Sequence, residues 1–238
     1  MGGPDPSRPH RRAPAEGEVA RMFDAVAPWY DALNALLSGG LDARWRRAAA
    51  GALALPPGSL VLDLGTGSGR LAESLAARYR VVGLDVSRAM LALAVQRATR
   101  AGPGRPRHVR GSAFRLPFRD RAFAGAASGF LLRNLDDLPA AFAELARVLV
   151  PGGRVALVDI TEPRGPLRRR LFHAYFGRAA PLAGRLSGNS RAYEYLARSL
   201  EQLPPPGRVT GLLAAVGLRG RARPLFPGMV TLWTATRA

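Results

Sequence analysis

The sequence predicts an α/β fold: a mostly parallel seven-stranded sheet with helices on both faces. Three observations carry this. Short apolar runs alternate with stretches of helical periodicity, as in consecutive strand–helix–strand units. The first run, Leu60-Val61-Leu62, ends in Asp63 and opens onto glycines at 65, 67 and 69 before a helical pattern begins at Leu71. Glycines there let the backbone approach a ligand closely, at the start of a helix. A second run, Arg80 to Leu84, ends in Asp85. A carboxylate about 20 residues past such a turn can accept hydrogen bonds from ribose hydroxyls.

In chain order, residues 1–15 are rich in Pro, Gly and Arg and poor in apolar residues, and read as a disordered basic tail. Residues 16–238 then read as a single domain. From Glu16 to Ala54 the periodicity is helical, with Val19, Met22, Phe23 and Val26 on one face and an interruption at Pro28. Trp29, Tyr30, Leu33, Leu36 and Leu37 make a second apolar face. After the turn Ser38-Gly39-Gly40 a further helix turns Trp45 inward with Arg44, Arg46 and Arg47 flanking it. These helices either pad one side of the sheet or form a lid over the ligand.

Beyond Asp85, Ser87 is placed to cap a helix whose buried face holds Met90, Leu91, Ala94, Val95 and Ala98. Arg107 to Arg110 is a third strand. Ala122 to Ser128 is a fourth, and the stretch Gly129 to Asn134 leaves its C-terminal end, where open α/β sheets bind ligands. Asp136 or Asp137 caps the next helix. Pro151-Gly152-Gly153 makes a turn into a fifth strand, Arg154 to Ile160. Residues 161–207 read as a helical cap insertion, with Leu171, Phe172, Tyr175 and Phe176 among many arginines; such a helix covers a pocket, lies on a membrane surface, or is a solvated face. A helix from Val209 to Val216 and an antiparallel strand pair, Leu218 to Leu225 and Met229 to Thr236, complete the chain.

The composition narrows the chemistry. A chain of 238 residues, 47% hydrophobic and 22% charged, suits one domain with a substantial core. With no cysteine there is no thiolate nucleophile, disulfide or cysteine–zinc site. Three histidines far apart in sequence show no ligand spacing, so no metal is expected. No apolar run reaches the length of ~20 residues that spans a bilayer, and no signal-peptide pattern precedes the domain. A cytoplasmic location is therefore expected, with peripheral contact at the inner membrane face as an option. The net charge of +18 comes entirely from arginine, as in a GC-rich genome, which weakens its reading as nucleic-acid binding.

Asp63, Gly65, Gly67 and Gly69 together resemble motif I of the class I S-adenosylmethionine methyltransferases, whose fold is Rossmann-like. That cofactor has no pyrophosphate, so a carboxylate at the strand end can face its cationic methionine part. Gly67-x-Gly69-x-x-Ala72 also fits the loose dinucleotide pattern, which alone is weak. Leu149-Val-Pro-Gly-Gly153 resembles the turn common before the fifth strand of these enzymes. Further stretches resemble the ubiquinone/menaquinone biosynthesis C-methyltransferases, the UbiE/MenG family. They are Met22-Phe23-Asp24-x-Val26-Ala27 with Tyr30-Asp31-x-x-Asn34, Leu116-Pro117-Phe118-x-Asp120, Phe130-x-Leu132-Arg133-Asn134, and Tyr193-x-Tyr195-Leu196. The chain departs from that family at Arg70, where an acid is usual, at Leu131, where glycine is usual, and at Gly129, where a cofactor-contacting serine is common.

The resemblance implies transfer of a methyl group from S-adenosylmethionine to a ring carbon of a reduced, prenylated quinol, with demethylmenaquinol the first choice. It implies that Asp63, Gly65, Gly67, Ser68, Gly69, Asp85, Val86, Ser112, Ala113 and Gly129 surround the cofactor. Arg133 and Asn134 would stabilise a developing quinolate, and Asp159, Tyr30, Asp31 and His173 are candidate general bases. The expected partner is the prenylated quinol rather than nucleic acid, and a homodimer is left open. Competing readings are a methyltransferase of another small molecule, an RNA methyltransferase, a non-catalytic cofactor-binding module, and an oxidoreductase.

Overall fold

The computed structural model describes residues 16–100, 104–163, 165–187, 199, 203–226 and 228–238. The basic tail, and the Tyr193–Leu200 stretch apart from Ser199, lie outside the described residues.

The strands are β1 (Leu60–Leu64), β2 (Arg80–Asp85), β3 (Arg107–Arg110), β4 (Phe123–Gly129), β5 (Leu149–Ile160), β6 (Leu218–Leu225) and β7 (Val230–Arg237). They form one sheet in the order β3-β2-β1-β4-β5-β7-β6. Every pairing from β3 to β5 is parallel, and β7 pairs antiparallel with both β5 and β6. The strand order reverses between β1 and β4, so a crevice opens at their C-terminal ends, as in other doubly wound sheets.

The helices are α1 (Glu16–Ser38), α2 (Leu41–Ala52), α3 (Arg70–Ala76), α4 (Arg88–Arg100), α5 (Leu138–Val148), α6 (Pro166–Ser187) and α7 (Pro206–Ala215). Alternate strand residues face opposite layers. Leu62, Leu64 and Leu84 pack with Phe142 and Leu145 of α5 and with Val209 and Leu213 of α7. Val61 and Val81 pack on the other side with Trp45, Ala49, Leu71 and Leu75 of α2 and α3. No described helix is long and apolar enough to cross a membrane.

Three local expectations change. α1 runs unbroken through Pro28, although proline removes a donor and crowds the preceding turn. Its expected second apolar face is only partly covered: Tyr30 and Leu37 are half-buried, whereas Trp29 and Leu36 are 57% and 62% exposed. Arg46 flanks Trp45 as expected, and it is buried there. The Pro-Gly-Gly turn lies within β5, which begins at Leu149 rather than Arg154: Leu149 pairs with Phe123 and Arg154 with Gly125, and the residues between bulge out with Gly152 at φ 76°.

Other local signals hold. Ser87 caps α4 by accepting from the Met90 amide at 3.1 Å. Asp137 caps α5 through the Ala140 amide at 2.9 Å. Arg147 gathers the Leu116–Asp120 loop, donating to the carbonyls of Leu116 and Phe118 and to the Asp120 carboxylate.

Candidate active site

β1 delivers Asp63, fully buried, to the crevice. One oxygen accepts from Thr66 Oγ1 at 2.7 Å, while Oδ1 has no hydrogen-bond partner. Burial pushes this carboxyl up to about 7, against the Thr66 hydrogen bond and the nearby Arg46 charge. The chain then turns through Gly65, Gly67 and Gly69, all at positive φ. Gly69 needs to be glycine twice over, because a Cβ there would also sit 3.1 Å from the Ala94 backbone of α4. Above Gly67 the space is open.

β2 delivers Asp85, whose carboxylate accepts from the Gly67 amide at 2.8 Å and the Ser87 amide at 2.9 Å. Burial raises its pKa, and these amide bonds oppose the rise. Asp85 therefore ties the glycine turn to the start of α4 while lining a small cavity. Gly65, Val86, Gly111, Ala113, Leu131 and Asn134 are among the other walls, and Glu16 and Val19 of α1 close it. Its volume, about 40 Å³, is room for water rather than for an adenosine.

α1 is fastened over this region by two carboxylates. Asp24 accepts from the Ser87 hydroxyl at 2.6 Å and the Ala89 amide at 3.0 Å, so α1 supplies a second cap to α4. The Ser87 bond, the largest influence, holds the Asp24 carboxyl below its ordinary value. Asp31 accepts from Ser68 Oγ at 2.6 Å and pairs with Arg97 of α4.

A larger cavity, about 220 Å³, lies beyond the end of β4, walled by Asn34, Asp42, Trp45, Phe130, Arg133 and Tyr175 together with apolar neighbours. Phe130 holds a left-handed conformation, φ 66°, which any non-glycine residue adopts only when its surroundings insist. Its amide donates to the Val158 carbonyl at 2.7 Å. Two guanidinium groups meet its ring, Arg46 with Cζ 4.9 Å and Arg133 with Cζ 5.9 Å from the centroid.

Each of these arginines has a buried carboxylate. Arg133 Nη1 donates to Asp159 Oδ1 at 2.5 Å, and the Arg133 amide donates to Oδ2 at 3.2 Å. The Ile160 amide also donates to Oδ1 at 2.7 Å. Arg46 lies 3.6 Å from Asp42, and Arg70 reaches the same carboxylate at 3.2 Å. The family departure at Arg70 is thus matched by an acid across the site.

The predicted site residues divide as follows. Asp63, Gly65, Gly67, Asp85, Val86, Ala113 and Asn134 gather around the glycine turn and the small cavity, while Arg133 and Asp159 meet beside the large one. Ser68 belongs to the glycine turn, but its hydroxyl is taken by Asp31. Ser112 turns its hydroxyl back to the Phe114 amide at 3.0 Å and is not among the cavity walls. Gly129 faces α2: a Cβ there would lie 3.2 Å from Arg46 Nη1. Tyr30 lines neither cavity and packs edge-on against Phe23, ring centroids 5.8 Å apart. Asp31 is engaged by Ser68 and Arg97, and His173 pairs with Glu162 at the surface at 2.5 Å.

Sequence reasoning missed Asn34, Asp42 and Tyr175 as cavity residues, and Arg46 as the group behind Phe130 and Asp42. The four-residue spacing of Asp42 and Arg46 on one helix was the available signal. Asn34 stood in the family-like stretch without a role.

A Rossmann-like sheet, a glycine turn between two strand-end acids, and an unpartnered buried oxygen on the first of those acids fit S-adenosylmethionine, and together they define a class I methyltransferase. Comparison with known proteins narrows the class. The profile of the ubiE/COQ5 methyltransferase family matches residues 12–235, and the chain belongs to that family. It is 41% identical over 92% of its length to the demethylmenaquinone methyltransferase of Deinococcus radiodurans, covering 92% of that protein. It is 39% identical over 91% of its length to the ubiquinone/menaquinone biosynthesis C-methyltransferase UbiE of Syntrophotalea carbinolica, covering 93% of it. A solved SAM-dependent methyltransferase from Aquifex aeolicus shares the fold at a TM-score of 0.58 and 19% identity, over 78% of this chain and 86% of that one. The protein is an enzyme that uses S-adenosylmethionine.

Proposed function

We propose that the chain methylates a ring carbon of a prenylated naphthoquinol, converting a demethylmenaquinol to menaquinol. The observation that carries this is the large, mostly apolar cavity with Arg133 in its wall, directly beside the cofactor residues. The substrate class follows the names of the two relatives above. Bound S-adenosylmethionine supplies an electrophilic methyl group on a sulfonium.

Asp63 would face the cationic methionine end of that cofactor, Asp85 would receive the ribose hydroxyls, and Ala113, Val86 and Asn134 would enclose the adenosine. α1, spanning residues 16–38, is the lid, and it must yield with Leu131 for an adenosine to enter. Arg133 holds the charge that develops on a quinol oxygen when its proton leaves, by a charge-assisted hydrogen bond. The electron pair this frees makes the neighbouring ring carbon nucleophilic; that carbon takes the methyl as the carbon–sulfur bond breaks and its pair returns to sulfur, and both the quinol proton and the ring carbon's own proton pass to water at the cavity mouth. Asp159, its oxygens occupied by Arg133 and two amides, orients Arg133 rather than acting as the base. Trp45 and Phe130 wall the ring site and exclude water, which strengthens the Arg133 interaction.

We further infer peripheral contact with a membrane at the cavity mouth. Leu36 of α1, Leu167 and Leu171 of α6, and Phe226 after β6 are 61–70% exposed. They lie next to residues that wall the cavity or hold its rim: Tyr175 donates to the Leu37 carbonyl at 2.9 Å and Trp45 to the Phe226 carbonyl at 2.8 Å. Arg168, Arg169 and Arg170 flank the α6 leucines. Exposed apolar side chains beside arginines suit an anionic lipid surface from which a prenyl tail can enter.

The test uses methyl-labelled S-adenosylmethionine with demethylmenaquinone in detergent, reduced in one arm and oxidised in the other. Label should appear only in the reduced arm. Arg133→Ala should lower kcat by about 100- to 1000-fold, the usual cost of removing one such donor. Cofactor binding without transfer to the quinol would overturn the assignment in favour of another small-molecule acceptor.

A further inference from the structure

The large cavity contains two buried polar groups to which the reading above gives no task. Asp42 is 2% exposed and forms part of the cavity wall. Its carboxylate receives one long side-chain hydrogen bond, 3.4 Å from Ser38 Oγ to Oδ1. Oδ2 is buried with no hydrogen bond: the Arg70 and Arg46 nitrogens lie 3.2 and 3.6 Å from it, but neither directs an N–H at it. The two arginines balance its charge without satisfying its acceptors, of which a carboxylate offers about four. On the same wall, Asn34 Nδ2 is buried and has no acceptor. Buried polar atoms are almost always hydrogen-bonded in folded proteins. An unsatisfied acceptor and an unsatisfied donor, both covered but carried by two residues of one cavity wall, therefore describe a ligand that would complete them once these side chains turn to the cavity.

We propose that Asp42, with Asn34, reads the oxidation state of the substrate ring. The proposal rests on the quinol reading above. A quinol hydroxyl is both donor and acceptor, so it can donate to the Asp42 carboxylate and accept from the Asn34 amide. A quinone carbonyl only accepts. It satisfies Asn34 but sets its lone pairs against a carboxylate, leaving Asp42 unbonded and adding repulsion. Sites built to bond a hydroxyl discriminate strongly against analogues without it, because a buried group is then stranded. The quinol oxygens thus have different partners: one meets Arg133, which favours loss of its proton, and the other meets Asp42, which needs its proton in place. Asp42 is a specificity residue that keeps the oxidised ring, which cannot be methylated by this chemistry, out of the site.

The test follows quenching of tryptophan fluorescence, to which the cavity residue Trp45 contributes. The protein is loaded with S-adenosylhomocysteine under anaerobic conditions. The probes are a demethylnaphthoquinone carrying one prenyl unit, its quinol, and the two monomethyl ethers of that quinol. The wild type should bind the quinol at least about tenfold more tightly than the quinone, and one ether should lose a similar factor while the other does not. Asp42→Asn, whose amide can donate to a carbonyl, should bring quinol and quinone within roughly threefold of each other. A wild type that binds both oxidation states equally, or an Asp42→Asn protein that keeps the wild-type ratio, overturns the proposal. If Asp42→Asn does not fold, the wild-type ethers decide, since equal loss or no loss with both also overturns it. Failure of the wild type to methylate any quinol while still binding S-adenosylmethionine would remove the functional reading itself. Methylation with the discrimination unaltered would remove only the role of Asp42.

Discussion

Asp63 shows how one residue sets a pH dependence. Burial pushes its carboxyl up to about 7, with the nearby Asp85 charge adding to the rise. The folded value lies above the ordinary 3.8, so the cofactor-free fold is favoured at low pH, and this contribution is lost as pH rises from about 4 towards about 7. A cationic ligand facing Asp63 favours the ionised form. Affinity for S-adenosylmethionine should therefore fall as pH drops below about 7. Asp63→Asn should weaken binding by about 10- to 100-fold, corresponding to about 1.5–3 kcal/mol for a hydrogen bond to a charge, and should flatten the pH profile. Calorimetric titration of wild type and variant between pH 6 and 8 checks both; parallel profiles would remove Asp63 from the site. Asp63 and Asp85 were legible in the sequence because an acid ending an apolar run beside glycines is a local signal. Arg133 and Asn134 were legible as a pair, but not their separation. A tight 3-10 turn rotates successive residues by about a third of a turn, so Arg133 faces the large cavity and Asn134 the small one.

At the scale of elements, α1 buries the small apolar residues Val19, Ala20 and Ala27 and is fastened further by polar side chains. Trp29 and Leu36 point outward, while Asp24 and Asp31 reach down to α4 and the glycine turn. Such an element opens more easily than the sheet beneath it. Asp31→Ala removes the bonds from both Ser68 and Arg97. It should raise hydrogen exchange in α1 by roughly tenfold, the equivalent of about 1.4 kcal/mol, with β1 and β4 unaffected. It should also speed cofactor release in stopped-flow measurements. Unchanged exchange in α1 would mean that packing, not the Asp31 bonds, holds the lid. The helix itself was legible from its periodicity. Its continuation through Pro28 was not, because neighbours in the fold outweigh a local breaking signal.

For the whole molecule, charge and apolar exposure coincide along the described part of α6. The net charge of +18 is spread along the sequence, but the α6 arginines sit beside Leu167 and Leu171 next to the cavity mouth. Wild-type protein should sediment with vesicles containing phosphatidylglycerol, and less so as salt rises from 0.05 to 0.5 M, through screening over about 10 Å or less. Leu171→Asp should reduce that binding several-fold and leave methylation of a short-chain quinol in detergent intact. Equal binding to neutral vesicles would assign the contact to apolar insertion alone. Salt-sensitive binding to RNA but not to vesicles would revive a nucleic-acid partner.

By itself the sequence determined the order of strands and helices, the glycine turn, the two strand-end acids and the caps of α4 and α5. Each is written in neighbouring residues, through the two periodicities and the local chemistry of turns. Only the tertiary structure decided which charges meet: Arg133 with Asp159, Arg70 with Asp42, Arg97 with Asp31. It alone placed Arg46 against Phe130 and left Asp42 and Asn34 unsatisfied on one cavity wall. The physical reason is that buried ion pairs and unsatisfied polar atoms depend on which surfaces pack together. That arrangement depends on sheet order and register, which no local stretch of chain encodes.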